Sequence, residues 1–329
     1  MNAALRFALV LLFTLAYAST SSALVIALSN DDGWDAPGVQ AMKVALEGAG
    51  HTVTLAGSLD EQSGSSAALN LGSDLVITKR SANEYSVAIA GGTEGAEPAT
   101  SALIAIGIAR DANGGVLPDL LVSGINAGAN IGAATQISGT VGGTIVAIAN
   151  GFNGSIPAIG ISTDEPCDED DPPGGDDLTA CVAANATHFS QVASFLAGFI
   201  AHLETKPGFL AGESGLLPKG VALNVNYPPL PPESIQGVSL NIQGRTLVIG
   251  GIPLDIDFRC FACAVIPVGA SSPGGIGGAG FDPTPDVAGS DSADFVAGFI
   301  TVVPIEADYS ASEAVFDGFE SVIEALNDD

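Results

Sequence analysis

The sequence predicts an α/β fold: a parallel sheet with helices on both faces, followed by a C-terminal extended arm and helix. Three observations carry this prediction. Short apolar runs recur without two-residue alternation, as in strands covered on both faces. Stretches opened by proline and closed by glycine separate them, as helices would. The first run, Leu24 to Ser29, ends in two adjacent carboxylates, Asp31 and Asp32, at a glycine turn. In open sheets of this Rossmann-like kind, ligands bind beyond the carboxyl ends of the strands.

The chain of 329 residues begins with a segment outside this pattern. Met1 to Ala23 carries one basic residue, Arg6, then the apolar run Phe7 to Phe13, then small residues. This is the layout of a secretory signal peptide. Cleavage after Ala23 would leave Leu24 at the head of the first strand; Ala18 is the alternative. The run is short for a bilayer span. The expectation is an exported protein, periplasmic or extracellular, with residues 24–329 forming a single domain that makes no membrane contact after cleavage.

Within that domain, Pro37 opens a helix through Leu46, which Gly48 and Gly50 close. His51 to Ala56 is the second strand, and Leu75 to Thr78 and Tyr85 to Ala90 are strands flanking a turn. Pro98 opens a helix to about Ala109. Asp119 to Ser123 is another buried strand, Thr140 to Ala149 a helix of small residues, and Pro157 to Ile161 a further strand. The second half is more irregular. Asp164 to Asp177 is an acidic Pro/Gly-rich loop, Ala183 to Leu203 a long helix, and Val221 to Tyr227 a strand stopped by Pro228 and Pro229. Glycine and proline crowd residues 250–290, which suits a flap or oligomerisation arm. Phe299 to Pro304 is the last strand, and a helix from about Ser310 to Leu326 occupies the closing stretch 305–329. The arm and the final helix make a homo-oligomer, a dimer or tetramer, an expectation.

Four cysteines agree with export. Local pairing, Cys167 with Cys181 and Cys260 with Cys263, is the simplest of three possible connectivities. The charge is extreme, with 9 basic residues against 37 acidic ones and a net charge of −28. Such a surface repels a nucleic acid duplex and anionic membranes. A phosphate-bearing partner would have to be drawn in by a cation and local backbone donors.

Asp31 and Asp32 repel one another, so their adjacency is costly unless a cation or a donor network offsets it. A hard divalent metal with oxygen ligands is the natural offset; a solvated turn with an aspartate capping a helix is the plain alternative. Two further loops follow strand ends. One is Asp60 to Ser66. The other runs from Ser123 through Asn126 and Asn130 to Gly142. Ser63 and Asn126 offer neutral oxygens to a shell that two carboxylates begin, although capping explains Ser63 and a left-handed turn explains Asn126 equally well. Ser138-Gly139-Thr140 stands where a helix begins, and its hydroxyls and free N–H groups make an anion site without lysine. An ordinary cap is the alternative there too. Rival chemistries fail on residues. There is no Gly-x-Ser-x-Gly elbow and no Gly-Lys-Ser/Thr loop, and Gly124, Gly128 and Gly132 lack dinucleotide spacing. None of the three histidines, His51, His188 and His202, occupies a position that reads as catalytic.

Taken together, the motifs resemble the SurE (survival protein E) family of metal-dependent 5′/3′-nucleotidases. The matching segments are Ser29-Asn30-Asp31-Asp32-Gly33 with Ala36-Pro37-Gly38, Gly50-His51-Thr52-Val53 through Gln62-Ser63-Gly64, and Pro118 to Asn126 with Gly128 and Asn130. Ser138-Gly139-Thr140-Val141, Asn224-Val225-Asn226-Tyr227-Pro228, and Asp291 followed by Gly298 and Pro304 complete the match. The resemblance implies a divalent metal, Mg²⁺ or Mn²⁺, on Asp31, Asp32, Ser63 and Asn126, with the two aspartates as the catalytic pair. It implies a phosphate pocket formed by Asn130, Ser138, Gly139 and Thr140, and nucleoside monophosphates or similar small phosphate esters as substrates. The chain departs from the family at Ala149-Asn150-Gly151, where Glu-Gly is usual, at Ala56-Gly57 for Ala-Pro, and at Val303-Pro304 for Thr-Pro.

Overall fold

The computed structural model describes residues 23–149, 155–167, 169, 178–205, 216–245, 247–249, 252–256, 281–283 and 286–308. Nine strands form one sheet in the order β3-β4-β2-β1-β5-β6-β7-β12-β8. They are β1 (Val25–Ser29), β2 (Thr52–Ser58), β3 (Leu75–Lys79), β4 (Glu84–Ile89), β5 (Leu120–Ala127), β6 (Ala158–Thr163), β7 (Val221–Tyr227), β8 (Gly237–Leu240) and β12 (Phe299–Glu306). The strands β9 (Leu247–Ile249), β10 (Ile252–Ile256) and β11 (Phe281–Pro283) form a separate antiparallel sheet, so the described part of the predicted arm is extended chain. The expected pairing of Cys260 with Cys263 and the expected final helix lie outside the described residues.

From β4 to β7 the sheet is parallel, as the alternation of strands and helices predicts. Its ends are not. β3 pairs antiparallel with β4, and β12 antiparallel with β7, so the sheet is mixed. The four residues 80–83 between β3 and β4 are too few for a parallel crossover. The β12 pattern fits either direction, since side-chain alternation carries no polarity.

The helices are α1 (Pro37–Gly48), α2 (Pro98–Ala112), α3 (Gly139–Ile148), α4 (Leu178–Glu204) and α5 (Asp291–Val296). Proline stands at the first turn of α1 and of α2, where its missing N–H leaves no bond unmade. On one face of the sheet, Ile26 and Leu28 of β1 pack with Met42 and Leu46 of α1 and Val192 and Leu196 of α4. On the other, Ala27 packs with Ala99 and Ala102 of α2 and Val146 and Ala147 of α3. The run that reads as uniformly apolar therefore serves two cores, one of large side chains and one of small. α4 begins at Leu178, before the predicted Ala183, because its buried stripe opens with Cys181 and Asn185 rather than with apolar residues. Cys181 is bonded to Cys167, the predicted local pairing.

The chain leaves β1 toward β2 on one side and returns to β5 on the other. This reversal opens a crevice at the carboxyl ends of β1 and β5. The ladder between β5 and β6 is irregular from Ser123 to Asn126, and a bulge of this kind re-aims the side chain that follows it. The N-terminus of α1 closes on the irregularity. A Cβ at Gly38 would overlap the Ile125 carbonyl oxygen, so only glycine fits there.

Candidate active site

Backbone hydrogen bonds draw the predicted loops to the aspartate pair. The Gln62 N–H donates to the Asp31 carbonyl at 2.9 Å, which sets Ser63 one residue from that contact. The Ala127 N–H donates to Asp32 Oδ2 at 2.9 Å, which does the same for Asn126. Thr140 Oγ1 donates to Asp31 Oδ1 at 2.7 Å, joining the start of α3 to the end of β1. Gly139 lies against the same carboxylate. A Cβ there would sit 2.6 Å from Pro98 Cγ and 2.8 Å from Asp31 Oδ2.

Asp31 is 2% exposed, and Asp32 is half-buried beside it. Burial raises the Asp31 carboxyl; the Thr140 hydroxyl and N–H oppose that rise, and the nearby Glu61 charge adds to it. Burial first, then the Asp31 charge, pushes the Asp32 carboxyl up to about 7. Asn30 Nδ2 also reaches Asp32 Oδ2, at 3.4 Å. No Lys or Arg ion pair reaches either aspartate among the described residues. Glu61 is a carboxylate on the same loop whose influence on the pair the sequence reading does not include.

A cation at this pair would rest on the two carboxylates plus neutral oxygens, because no cluster of three or more His, Cys, Asp or Glu able to hold a metal occurs among the described residues. Asn126 supplies such an oxygen. Its Nδ2 donates to the Gly128 carbonyl at 2.6 Å, which fixes the amide, while its Oδ1 is buried with no hydrogen-bond partner. An orphaned buried acceptor carries a desolvation cost that a cation would offset. The donor set is all oxygen, which matches Mg²⁺ or Mn²⁺. Ser63 is exposed on its loop, and its N–H donates to Glu61 Oε1 at 2.6 Å.

The residues predicted for a phosphate divide. Ser138 caps α3, its Oγ accepting the Val141 N–H at 3.1 Å, which is the ordinary capping role and leaves the hydroxyl proton uncommitted. Thr140 is fully buried and commits its hydroxyl to Asp31. It therefore orients the carboxylate rather than facing a phosphate. Asn130 is buried; its Nδ2 donates to Ser162 Oγ at 2.8 Å, and its carbonyl accepts from Thr135, Asn224 and Asn226. The two β7 amides were legible as polar residues two apart in an apolar strand, a pattern that requires a buried partner.

A family model described as "Survival protein SurE" matches residues 26–248. The chain belongs to the SurE family. A relative named 5′-nucleotidase SurE from Rubrobacter xylanophilus is 34% identical over 220 residues, covering 67% of this chain and 72% of the relative. Another of that name, from Nitratidesulfovibrio vulgaris, is 30% identical over 294 residues, covering 88% of this chain and 96% of the relative. The crystal structure of the SurE protein of Aquifex aeolicus superimposes with a TM-score of 0.62 at 22% identity, covering 92% of this chain and 99% of the other. SurE membership and the mixed α/β sheet thus agree with the motif reading, from β1 to the arm.

Proposed function

We propose that this SurE protein is a metal-dependent phosphomonoesterase that hydrolyses nucleoside 5′- or 3′-monophosphates to nucleoside and phosphate. The observation that carries the reading is a carboxylate pair, Asp31 buried and Asp32 half-buried, with no basic partner among the described residues, together with an Asn126 oxygen that is buried and unpaired. The relatives named 5′-nucleotidase support the substrate class. Asp31, Asp32, Ser63 and Asn126 are the residues that would hold Mg²⁺ or Mn²⁺. Such a cation, when bound, supplies Lewis-acid polarisation of the phosphoryl group and activation of water.

The chain's own groups supply the rest. Thr140 donates to Asp31, and Ala127 and Asn30 donate to Asp32, so both carboxylates are fixed before any ligand arrives. Pre-set groups of this kind need no reorganisation during reaction. The Ser138 hydroxyl and the Gly139 N–H, at the positive end of α3, and the second Asn130 amide hydrogen are donors for phosphoryl oxygens. Export belongs to the same proposal. The signal-like composition of residues 1–23 supports it, as does the Cys167–Cys181 disulfide.

The test is phosphate release from AMP, GMP and p-nitrophenyl phosphate by the purified protein, with EDTA, Mg²⁺ or Mn²⁺, at low and high salt. EDTA-sensitive release that favours the nucleotides is the expected result. Preference for p-nitrophenyl phosphate would redirect the reading to a broad phosphatase. Silence under every condition from folded protein would leave a binding protein on this fold.

A further inference from the structure

The loop between Asn126 and Ser138 is held by acceptors from three other elements. Its Gly128 N–H donates to the Thr163 carbonyl at 2.7 Å, at the end of β6. The next N–H, of Ala129, donates to Asp164 Oδ1 at 2.8 Å, and that of Asn130 to Asn226 Oδ1 at 2.7 Å. The Gly132 N–H donates to Asp291 Oδ1 at 3.1 Å. The three side chains come from the β6 exit, the end of β7 and the first turn of α5, and stand 35, 96 and 159 residues away in sequence. Asn226 and Asp291 are fully buried and Asp164 half-buried. In the run Ala127-Gly128-Ala129-Asn130-Ile131-Gly132 one large side chain, Ile131, is fully buried against Phe295; the small residues on either side of it leave the rest of the conformation to be set through the backbone.

These bonds have a chemical consequence. An N–H donated to a carboxylate or amide oxygen is not offered to a phosphate. The loop is thus no anion nest, although its glycines would allow one. Asn126, at the start of the loop, is held by its own bond to the Gly128 carbonyl, so what the clamped part contributes to the crevice is the placement of Asn130 and Ser138. Asn226 grips Asn130 twice, accepting from its N–H and donating Nδ2 to its carbonyl at 3.2 Å. Asp291 joins Gly132 to the Gly244 N–H, at 2.7 Å, and so ties the loop to the chain after β8.

We propose that Asp164, Asn226 and Asp291 are positioning residues, which fix the Asn126–Ser138 loop by accepting the backbone N–H groups of Ala129, Asn130 and Gly132 and thereby set the phosphate-side donors. The proposal rests on the nucleotidase reading for its substrate, and on the loop's hydrogen bonds alone for its structural half. Its mark is that the acceptor oxygen matters and the negative charge does not, so asparagine replaces each aspartate.

Asp164→Ala, Asp164→Asn, Asp291→Ala and Asp291→Asn would be compared with wild type in Mn²⁺. The measurements are KM and kcat for AMP, the Kd for Mn²⁺, and hydrogen–deuterium exchange of peptides covering residues 127–138. The alanine variants should raise KM about tenfold, short of the roughly hundredfold that a full 1 Å misplacement can cost. They should leave the Mn²⁺ Kd within threefold and speed exchange in that loop alone. The asparagine variants should restore KM to within threefold of wild type. Asp164 is half-buried, so its variants report even if Asp291→Ala does not fold. Unchanged loop exchange in Asp164→Ala overturns the clamp, and asparagine variants as impaired as alanine overturn the acceptor argument. A wild type without phosphatase activity would refute the nucleotidase reading instead, and exchange would still decide the clamp.

Discussion

Replacing Asp32 by asparagine should stabilise the metal-free protein at pH 8 and leave it nearly unchanged at pH 4. Burial and the adjacent Asp31 push the Asp32 carboxyl up to about 7, against 3.8 for the ordinary group. The folded chain therefore holds this proton more tightly than the unfolded chain does. The stability so gained is fully present below about pH 4 and is lost as pH rises through about 7. Each pKa unit is worth about 1.4 kcal/mol, so about three units set a ceiling near 4 kcal/mol. The partial exposure of Asp32 and its shared titration with Asp31 reduce the expected gain at pH 8 to about 1–3 kcal/mol. Asparagine keeps an oxygen for the Ala127 N–H and the Asn30 amide but has no charge to bury. Urea unfolding in EDTA at both pH values, followed through the single tryptophan, Trp34, measures the difference directly. Mn²⁺ at about a hundred times its Kd should then stabilise the wild type by about 2.7 kcal/mol and the variant far less. A variant whose stability differs from wild type by the same amount at pH 4 and pH 8 would show that the charge on this pair is not the dominant cost.

Three further outcomes follow from the same geometry. Thr140→Val removes the hydroxyl donor to buried Asp31, and should cost about 1–3 kcal/mol at pH 8 in EDTA, read as a lower urea midpoint. Gly139→Ala forces its methyl against Pro98 and Asp31, so phosphate release should drop at least about tenfold while the far-ultraviolet spectrum stays native. Cys181→Ser opens the disulfide to Cys167, 14 residues away, and should cost about 3 kcal/mol, checked by unfolding under non-reducing conditions.

The parallel half of the fold is legible because its signals are local: Pro37 and Pro98 open helices, and the runs at Val25 and Leu120 are too apolar to lie on a surface. Strand direction at the sheet's ends is not legible, since the residues of β12 suit either polarity. At the site, the aspartate pair and the loops that reach it are visible from their places after strands. The division of labour within Ser138-Gly139-Thr140 is not. A threonine one residue into a helix reads as a helix-start residue whether it faces a phosphate or Asp31, and only the packing of α3 against β1 decides. The acceptor roles of Asp164, Asn226 and Asp291 are not legible for a related reason, because each bonds to backbone far away in sequence.

The pairing of β1 with β5 also sets an order of events in time. Asp32 and Ala127 are 95 residues apart, and Asp31 and Thr140 are 109 apart. An unfolded chain cannot present these groups together, and long-range parallel pairing forms late. A cation that binds here would meet a complete site only after the folding barrier is crossed. It would then slow unfolding while leaving the rate of folding as it is without metal. Persistence of the folded enzyme would depend on the cation supply around it, and the speed of its formation would not.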